Sequence, residues 1–187
     1  MTTALLIIDV QNDYFDGGAM TLDNMAQAAE RCGDALKAFR EAGKPVFHVQ
    51  HLSVRPGSTF FVPDTPGAEI HPSVAPQPGE ALLTKHYPSA FRDTDLDELL
   101  RADGIEELVI CGAMTHMCVD TTVRAAFDLG YRCRVAEDAC ATRALEHGGR
   151  QVDAASVQSA FMAAIGQVFA SVASTRDTLA EVLGARD

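Results

Sequence analysis

Residues Ala4–Val10 read ALLIIDV, an apolar run broken only by Asp9. A half-buried strand would alternate apolar and polar residues. A run apolar at every step fits a strand covered on both faces, as in a parallel sheet. The pattern recurs along the chain. Pro45–Val49, Ala81–Lys85, Glu107–Gly112, Tyr131–Glu137 and Val168–Val172 read as further strands. Between them lie segments of helical period. In Thr21–Ala42 the residues Leu22, Met25, Ala29, Cys32, Leu36 and Phe39 share one face, and Gly43 supplies the stop. Asp95–Arg101, Val119–Leu129, Gln151–Ile165 and Ser174–Leu183 complete the set, the last capped by Ser174 or Thr175. Six strands alternating with helices predict an α/β fold: a mostly parallel six-stranded sheet between two helical layers.

The 187 residues lie near the size of one ordinary domain, and residues 1–187 are expected to form a single unit. Fifteen basic and 26 acidic residues leave a net charge of −11, so attraction to nucleic acid or to an anionic membrane is not expected. No apolar run reaches the roughly 18–20 residues of a membrane span, and Ala4–Ile8 is too short for a signal-peptide core. Five cysteines, an odd number without a CxxC pair, fit a reducing, cytoplasmic setting better than a disulfide framework. Leu52–Gly79 is the one long irregular stretch and carries six prolines. Loops of that length in compact domains usually act as lids, binding loops or partner contacts.

Ligands of open α/β sheets bind beyond the carboxyl ends of the strands. Those ends carry Asp9 and Gln11, His48 and His51, Lys85 and His86, the segment Ala113 to Cys118, and Glu137 with Asp138. Asp9 either caps a loop or serves as an acid in a desolvated crevice. Lys85 either snorkels to solvent or stands in the site. Cys118 lies in CGAMTHMCVDTTVRAAFDLG, which runs from strand into helix with Thr115 as a candidate N-cap. A helix N-terminus and a nearby lysine would lower a thiol's pKa, and a carboxylate could accept its proton. Cys32, Cys111, Cys133 and Cys140 sit on apolar stripes or strands and read as core. His48 and His51 are three apart and face opposite sides of a strand, which is poor geometry for one metal ion. His71, His86, His116 and His147 have no partner at ligand spacing. Neither GxGxxG nor GxxxxGK[ST] follows the first strand, so no nucleotide cofactor is expected. A phosphoacceptor domain would need an adjacent acidic pair for Mg²⁺, which Asp9 lacks.

Taken together and in order, these stretches resemble the isochorismatase-like cysteine hydrolases. LLIIDVQNDYF (5–15) is similar to that family's first strand and its Asp-x-Gln-Asn-Asp segment. PDTPGAEIHPSVAPQPGE (63–80) and LLTKHYPSAF (82–91) resemble its long loop, lysine strand and aromatic segment. LVICGAMTHMCVDTTVRAAFDLGY (108–131) resembles its nucleophile loop and helix, and VAEDACAT (135–142) its fifth strand. The resemblance implies a three-layer α/β/α fold and a Cys–Asp–Lys triad at Cys118, Asp9 and Lys85. It also implies a non-proline cis peptide at Ala113–Met114, and an oxyanion hole from the backbone N–H groups of Met114 and Cys118.

Nicotinamidase-type members of that family bind a metal through an Asp-x-His pair after the second strand. In FHVQHLS (47–53) His51 and Ser53 stand at those two places, which implies a metal-free site. An intact triad favours hydrolysis of a C–N bond (amide, carbamoyl, ureido or lactam) through a thioester. Vinyl ether cleavage and a non-enzymatic binding role are the alternatives. The substrate is expected to be a small molecule, with Gln11, Phe15, Tyr87, Ala113 and Thr115 lining its pocket and Phe60 or Phe61 nearby. Apolar Phe60, Phe61, Val62 and Ile70 in the long loop need cover, and a homo-oligomer, dimer or tetramer, is expected to supply it.

Overall fold

The structure, a computed structural model, describes residues 1–184. Its strands are β1 (Thr3–Ile8), β2 (Val46–His51), β3 (Ala81–Lys85), β4 (Glu107–Ala113), β5 (Arg132–Ala141), β6 (Leu145–His147), β7 (Arg150–Val152) and β8 (Ser171–Ala173). Six of them form one sheet in the order β3-β2-β1-β4-β5-β8, parallel at every pairing. The expected three-layer α/β/α architecture is the one observed. Helices α1 (Met25–Glu41) and α5 (Thr175–Leu183) cover one face, and α2 (Leu96–Ala102), α3 (Asp120–Asp128) and α4 (Ala154–Val168) cover the other.

Period-two geometry explains why β1 is apolar from Ala4 to Ile8. Ala4, Leu6 and Ile8 pack with α2, α3 and α4, while Leu5 and Ile7 pack with α1. Leu108 and Ile110 of β4 join the first cluster, and Val109 and Cys111 the second. Each fully buried Leu or Ile contributes roughly 1.5–3 kcal/mol. Helix α1 buries Met25, Ala28, Ala29, Cys32, Ala35, Leu36 and Phe39, the stripe its spacing predicts.

Several boundaries differ from expectation. Helix α1 starts at Met25 rather than Thr21, because the backbone N–H of Asp23 donates to Thr142 O and Asn24 is left-handed (φ 57°). Helix α4 starts at Ala154 rather than Gln151, since Asp153 accepts from Ser156 N at 2.8 Å and ends the preceding strand. That strand, β7, pairs antiparallel with β6 across Gly148 and Gly149, both with positive φ, in a two-residue hairpin turn. Helix α4 continues to Val168 and displaces the last sheet strand to Ser171–Ala173. Strand β5 bulges after Val135 and resumes beside β4 at Cys140, so it runs past Glu137 to Ala141.

The 52–79 stretch is folded down by the segment that follows β1. Gln11 Nε2 donates to Ala68 O (2.7 Å) and His51 O (2.9 Å), and Asn12 Nδ2 donates to Pro66 O (2.8 Å). Asp13 Oδ2 accepts from Phe61 N at 2.6 Å. Gly67 approaches Asp13 so closely that a Cβ there would lie 2.1 Å from Oδ1. Part of the loop's apolar surface therefore finds cover within the chain. Phe61 is buried against Tyr14, with ring centroids 4.6 Å apart, and half-buried Phe60 and Ile70 pack on the same cluster. This corrects the expectation that Phe61 stands exposed, whereas Phe60, Val62 and Ile70 keep part of their surface open.

Candidate active site

The carboxyl ends of β1, β2, β3 and β4 converge on one group of side chains. Asp9 leaves β1 in the left-handed region (φ 52°), a conformation that aspartate tolerates better than most residues and that turns its carboxylate out of the strand direction. Lys85 is the last residue of β3, directly opposite His51 of β2 in the parallel register. Beyond β4 the Ala113–Met114 peptide is cis, and Thr115–Val119 form a π-turn that places Cys118 just ahead of α3. Gly112 makes room for this exit: its φ is 121°, and a Cβ would fall 2.0 Å from Ile8 O.

Lys85 Nζ is the centre of the group. It lies 2.7 Å from Asp9 Oδ2, 2.9 Å from His51 Nδ1, 3.1 Å from Tyr87 O and 3.2 Å from Cys118 Sγ. Asp9, Lys85 and Cys118 are all buried. The Asp9–Lys85 approach is ionic rather than well aligned: neither carboxylate oxygen has a hydrogen-bond partner among the described residues. A buried acceptor of that kind is costly unless something comes to use it.

Burial governs the electrostatics. Loss of solvent raises the Asp9 carboxyl above its ordinary range, with the Lys85 charge opposing the rise. Burial pulls Lys85 down, but the Asp9 charge outweighs it, with the contact to Cys118 adding to the effect, and the ammonium stays protonated. Burial and then the Asp9 charge push the Cys118 thiol up, with Lys85 opposing. This corrects the expectation of a thiol lowered by a helix N-terminus and by lysine. A side chain shut away from water beside a carboxylate keeps its proton at rest. A carboxylate of raised basicity next to a neutral thiol is suited to general-base work.

Asp9, His51 and Cys118 offer three metal-ligating atoms within 4.8 Å of one another. Lys85 Nζ reaches all three, so the cation among them is the ammonium, and a metal ion would have to displace it. His48 faces the other side of β2, where its Nε2 lies 2.9 Å from Glu80 Oε2.

The residues expected to line a pocket are placed unevenly. Tyr87 lends its backbone O to Lys85, while the Arg92 guanidinium lies 3.6 Å over its ring. Phe15 stacks on His71, with centroids 3.8 Å apart. Gln11 is fully buried and its amide is spent on backbone: besides its two donated bonds, Oε1 accepts from His51 N at 2.8 Å. It holds the end of β2 rather than offering a group to substrate. Thr115 is buried too, with Oγ1 2.7 Å from Gln158 Oε1 and 3.1 Å from Ala141 O, two acceptors for its one hydroxyl proton. It ties the π-turn to β5 and α4 and makes no N-cap bond, in contrast to the capping role read from its position. Ala113 and Met114 are buried at the cis bond. Tyr14, not singled out by sequence, is buried close enough for the charges of Asp9 and Cys118 to raise its hydroxyl pKa after burial does. Its place beside Phe in NDYF gave no polar signal. A cleft of about 420 Å³ lies elsewhere, between Asn24, Gln27, Asp138 and Gln158.

Known proteins share this arrangement of elements. The isochorismatase domain model matches residues 3–177. The isochorismatase family protein YddQ of Bacillus subtilis (strain 168), whose activity is uncharacterised, is 50% identical over 94% of this chain and 97% of its own length. A crystal structure from Oleispira antarctica assigned to the isochorismatase hydrolases superposes with a TM-score of 0.92 at 52% identity, covering 96% of each chain. N-carbamoylsarcosine amidase from Thermoplasma acidophilum superposes at 0.79 with 27% identity, over 94% of this chain and 97% of that one. With its domain matched nearly end to end and half its residues shared with a full-length relative, this chain belongs to the isochorismatase family of hydrolases.

Proposed function

We propose that this protein is a metal-independent cysteine hydrolase that cleaves a C–N bond of a small molecule (amide, carbamoyl, ureido or lactam) through a thioester on Cys118. One observation carries the reading. A buried thiol and a buried carboxylate share a single buried ammonium, at 3.2 and 2.7 Å, at the carboxyl edge of the sheet. Clusters of this kind gather at sites where chemistry is done. The amidase among the structural neighbours supports C–N cleavage as the bond type.

The chemistry follows from the contacts. Asp9 takes the Cys118 proton as Sγ attacks the substrate carbonyl, so thiolate forms only as the S–C bond does. The Lys85 ammonium offsets negative charge on Asp9 and then on sulfur. Backbone N–H groups of Met114 and Cys118 hold the tetrahedral oxyanion; losing one such donor typically costs ~3–4 kcal/mol in kcat. The C–N bond breaks and Asp9 returns its proton to the leaving nitrogen. Asp9 then takes a proton from water as the water's oxygen attacks the thioester. The C–S bond breaks and the proton passes back to sulfur. Tyr14, Phe61 and Tyr87 supply the apolar and aromatic surroundings of this step.

The test is an intact mass taken during turnover of primary amides, ureido acids and lactams. An acyl adduct on the Cys118 peptide is expected. Turnover with no adduct on rapid quenching would contradict the covalent route. Prolonged chelation should leave the rate unchanged, and loss of stoichiometric metal together with activity would defeat metal independence.

Further parts of the reading concern the setting. The five cysteines are all unpaired and buried, which suits action in the reducing cytoplasm. No described helix is long and apolar enough to cross a membrane. Exposed Phe127, Leu129 and Val168, with the half-buried Phe60, Val62 and Ile70 of the long loop, support homo-oligomer formation. Sedimentation at micromolar concentration should give a multiple of 20.0 kDa, and a strictly monomeric mass would end that part of the proposal.

A further inference from the structure

The Lys85 ammonium has three N–H donors and no lone pair, yet four electronegative atoms surround it. Asp9 Oδ2, His51 Nδ1 and Tyr87 O lie at 2.7, 2.9 and 3.1 Å, and Cys118 Sγ at 3.2 Å. His51 is held in place by its own neighbours. Its backbone N–H donates to Gln11 Oε1, its carbonyl accepts from Gln11 Nε2, and its ring lies 5.9 Å from that of Phe61. The register places it directly across from Lys85, so the contact follows from strand pairing and not from a mobile loop. We propose that His51 is the positioning residue of this site: as a neutral imidazole with its proton on Nε2, it accepts one Lys85 N–H at Nδ1, which leaves the other two for Tyr87 O and Cys118 Sγ and holds the ammonium in ionic contact with Asp9.

The alternatives fail on physical grounds. An imidazole protonated at Nδ1 would set a donor against a donor at 2.9 Å. An imidazolium would do the same and add a second positive charge; burial first, then the Lys85 charge, lower His51 to about 3. Gln11 gains its role here as well. By gripping the His51 backbone from both sides it fixes where Nδ1 points.

This inference rests on the covalent reading above but is tested without a substrate. The first readout is ¹⁵N NMR of histidine-labelled protein. His51 should show a lone-pair Nδ1 and a protonated Nε2, unchanged between pH 5 and 8. The second is the rate at which iodoacetamide alkylates Cys118. His51→Ala and His51→Leu should slow it about tenfold, the effect of one lost hydrogen bond to a charged group. His51→Asn should recover most of the rate, because its Oδ1 takes the place of Nδ1, whereas His51→Gln, with its acceptor one carbon further out, should not. An Nδ1–H tautomer, or a His51→Leu variant alkylated as fast as wild type, would overturn the inference. The NMR result decides even where a variant fails to fold. Cys118→Ala turning over normally while the tautomer and the rate pattern hold would instead strike the covalent reading and leave the role of His51 standing.

Discussion

Asp9 shows how much chemistry one misplaced charge can carry. It follows a strand that is apolar from Ala4 to Ile8, and burial lifts its carboxyl above the ordinary range. Because Asp9 acts as its anion, kcat/KM should fall as pH drops through a value above the usual ~3.9 for aspartate. Lys85 is held protonated above its ordinary 10.5, so the alkaline limb should not begin before pH ~10. An acid limb below the ordinary carboxylate range in the measured profile would contradict this placement. Asp9→Asn removes the base while keeping the shape and should lower kcat by about 10³-fold or more. Steady-state kinetics with unchanged circular dichroism would check it. Asp9, Lys85 and Cys118 could be picked from sequence because each is an exception to its surroundings: a charge ending an apolar strand, or a thiol at the start of a helix. His51 was visible only as a polar residue at a strand end, without its contact to Lys85, and Tyr14 gave no signal. Their importance comes from strand register and loop packing, which no local pattern records.

The elements around the site are held by a few close contacts that give further tests. Gly112→Ala would drive a methyl into Ile8 O and demand a φ of 121° from alanine. It should cost about 3 kcal/mol or more, read from urea unfolding, and the damage should centre on the β1–β4 ends that carry the site. Glu80 ties the end of the long loop to α1 and β2: Arg40 Nε and Nη2 donate to its two oxygens at 2.6 and 2.8 Å, and Gln77 N donates to Oε2 at 2.8 Å. The Arg40 hydrogen bonds hold its carboxyl down at about 2, against an ordinary 4.5. A depressed carboxyl stabilises fully above its unfolded value and loses that effect as pH falls through its folded one. Glu80→Gln should therefore cost about 2 kcal/mol at pH 7, and the difference should fade between pH 4.5 and about 2. A constant difference across that window would show that the tether is not ionic. Strand and helix types were legible because their apolar periods are strong. The β6–β7 hairpin, the π-turn and the β5 bulge were not, since each depends on backbone geometry at a few residues. Gly148-Gly149 between short polar strands was the one available hairpin signal.

At the scale of the whole molecule, a sheet buried on both faces leaves its carboxyl edge as the place where polar side chains gather, and four strands deliver one each to the same point. The loop over that edge encloses its own aromatic residues by way of Gln11, Asn12 and Asp13. The anchors lie forty or more residues away in sequence and become visible only once β1 and β2 pair, so the cover given to Phe61 is written in no local pattern. Fold and family follow from patterns spread over the chain, whereas the substrate depends on a pocket shape that those patterns do not encode. The central claim is that Cys118 forms a covalent bond with the substrate. The most direct measurement is turnover by Cys118→Ala on any amide, ureido acid or lactam that the wild type hydrolyses. Activity lost to background, with the fold intact, is the expected result; a variant that turns over at the wild-type rate would contradict the covalent mechanism.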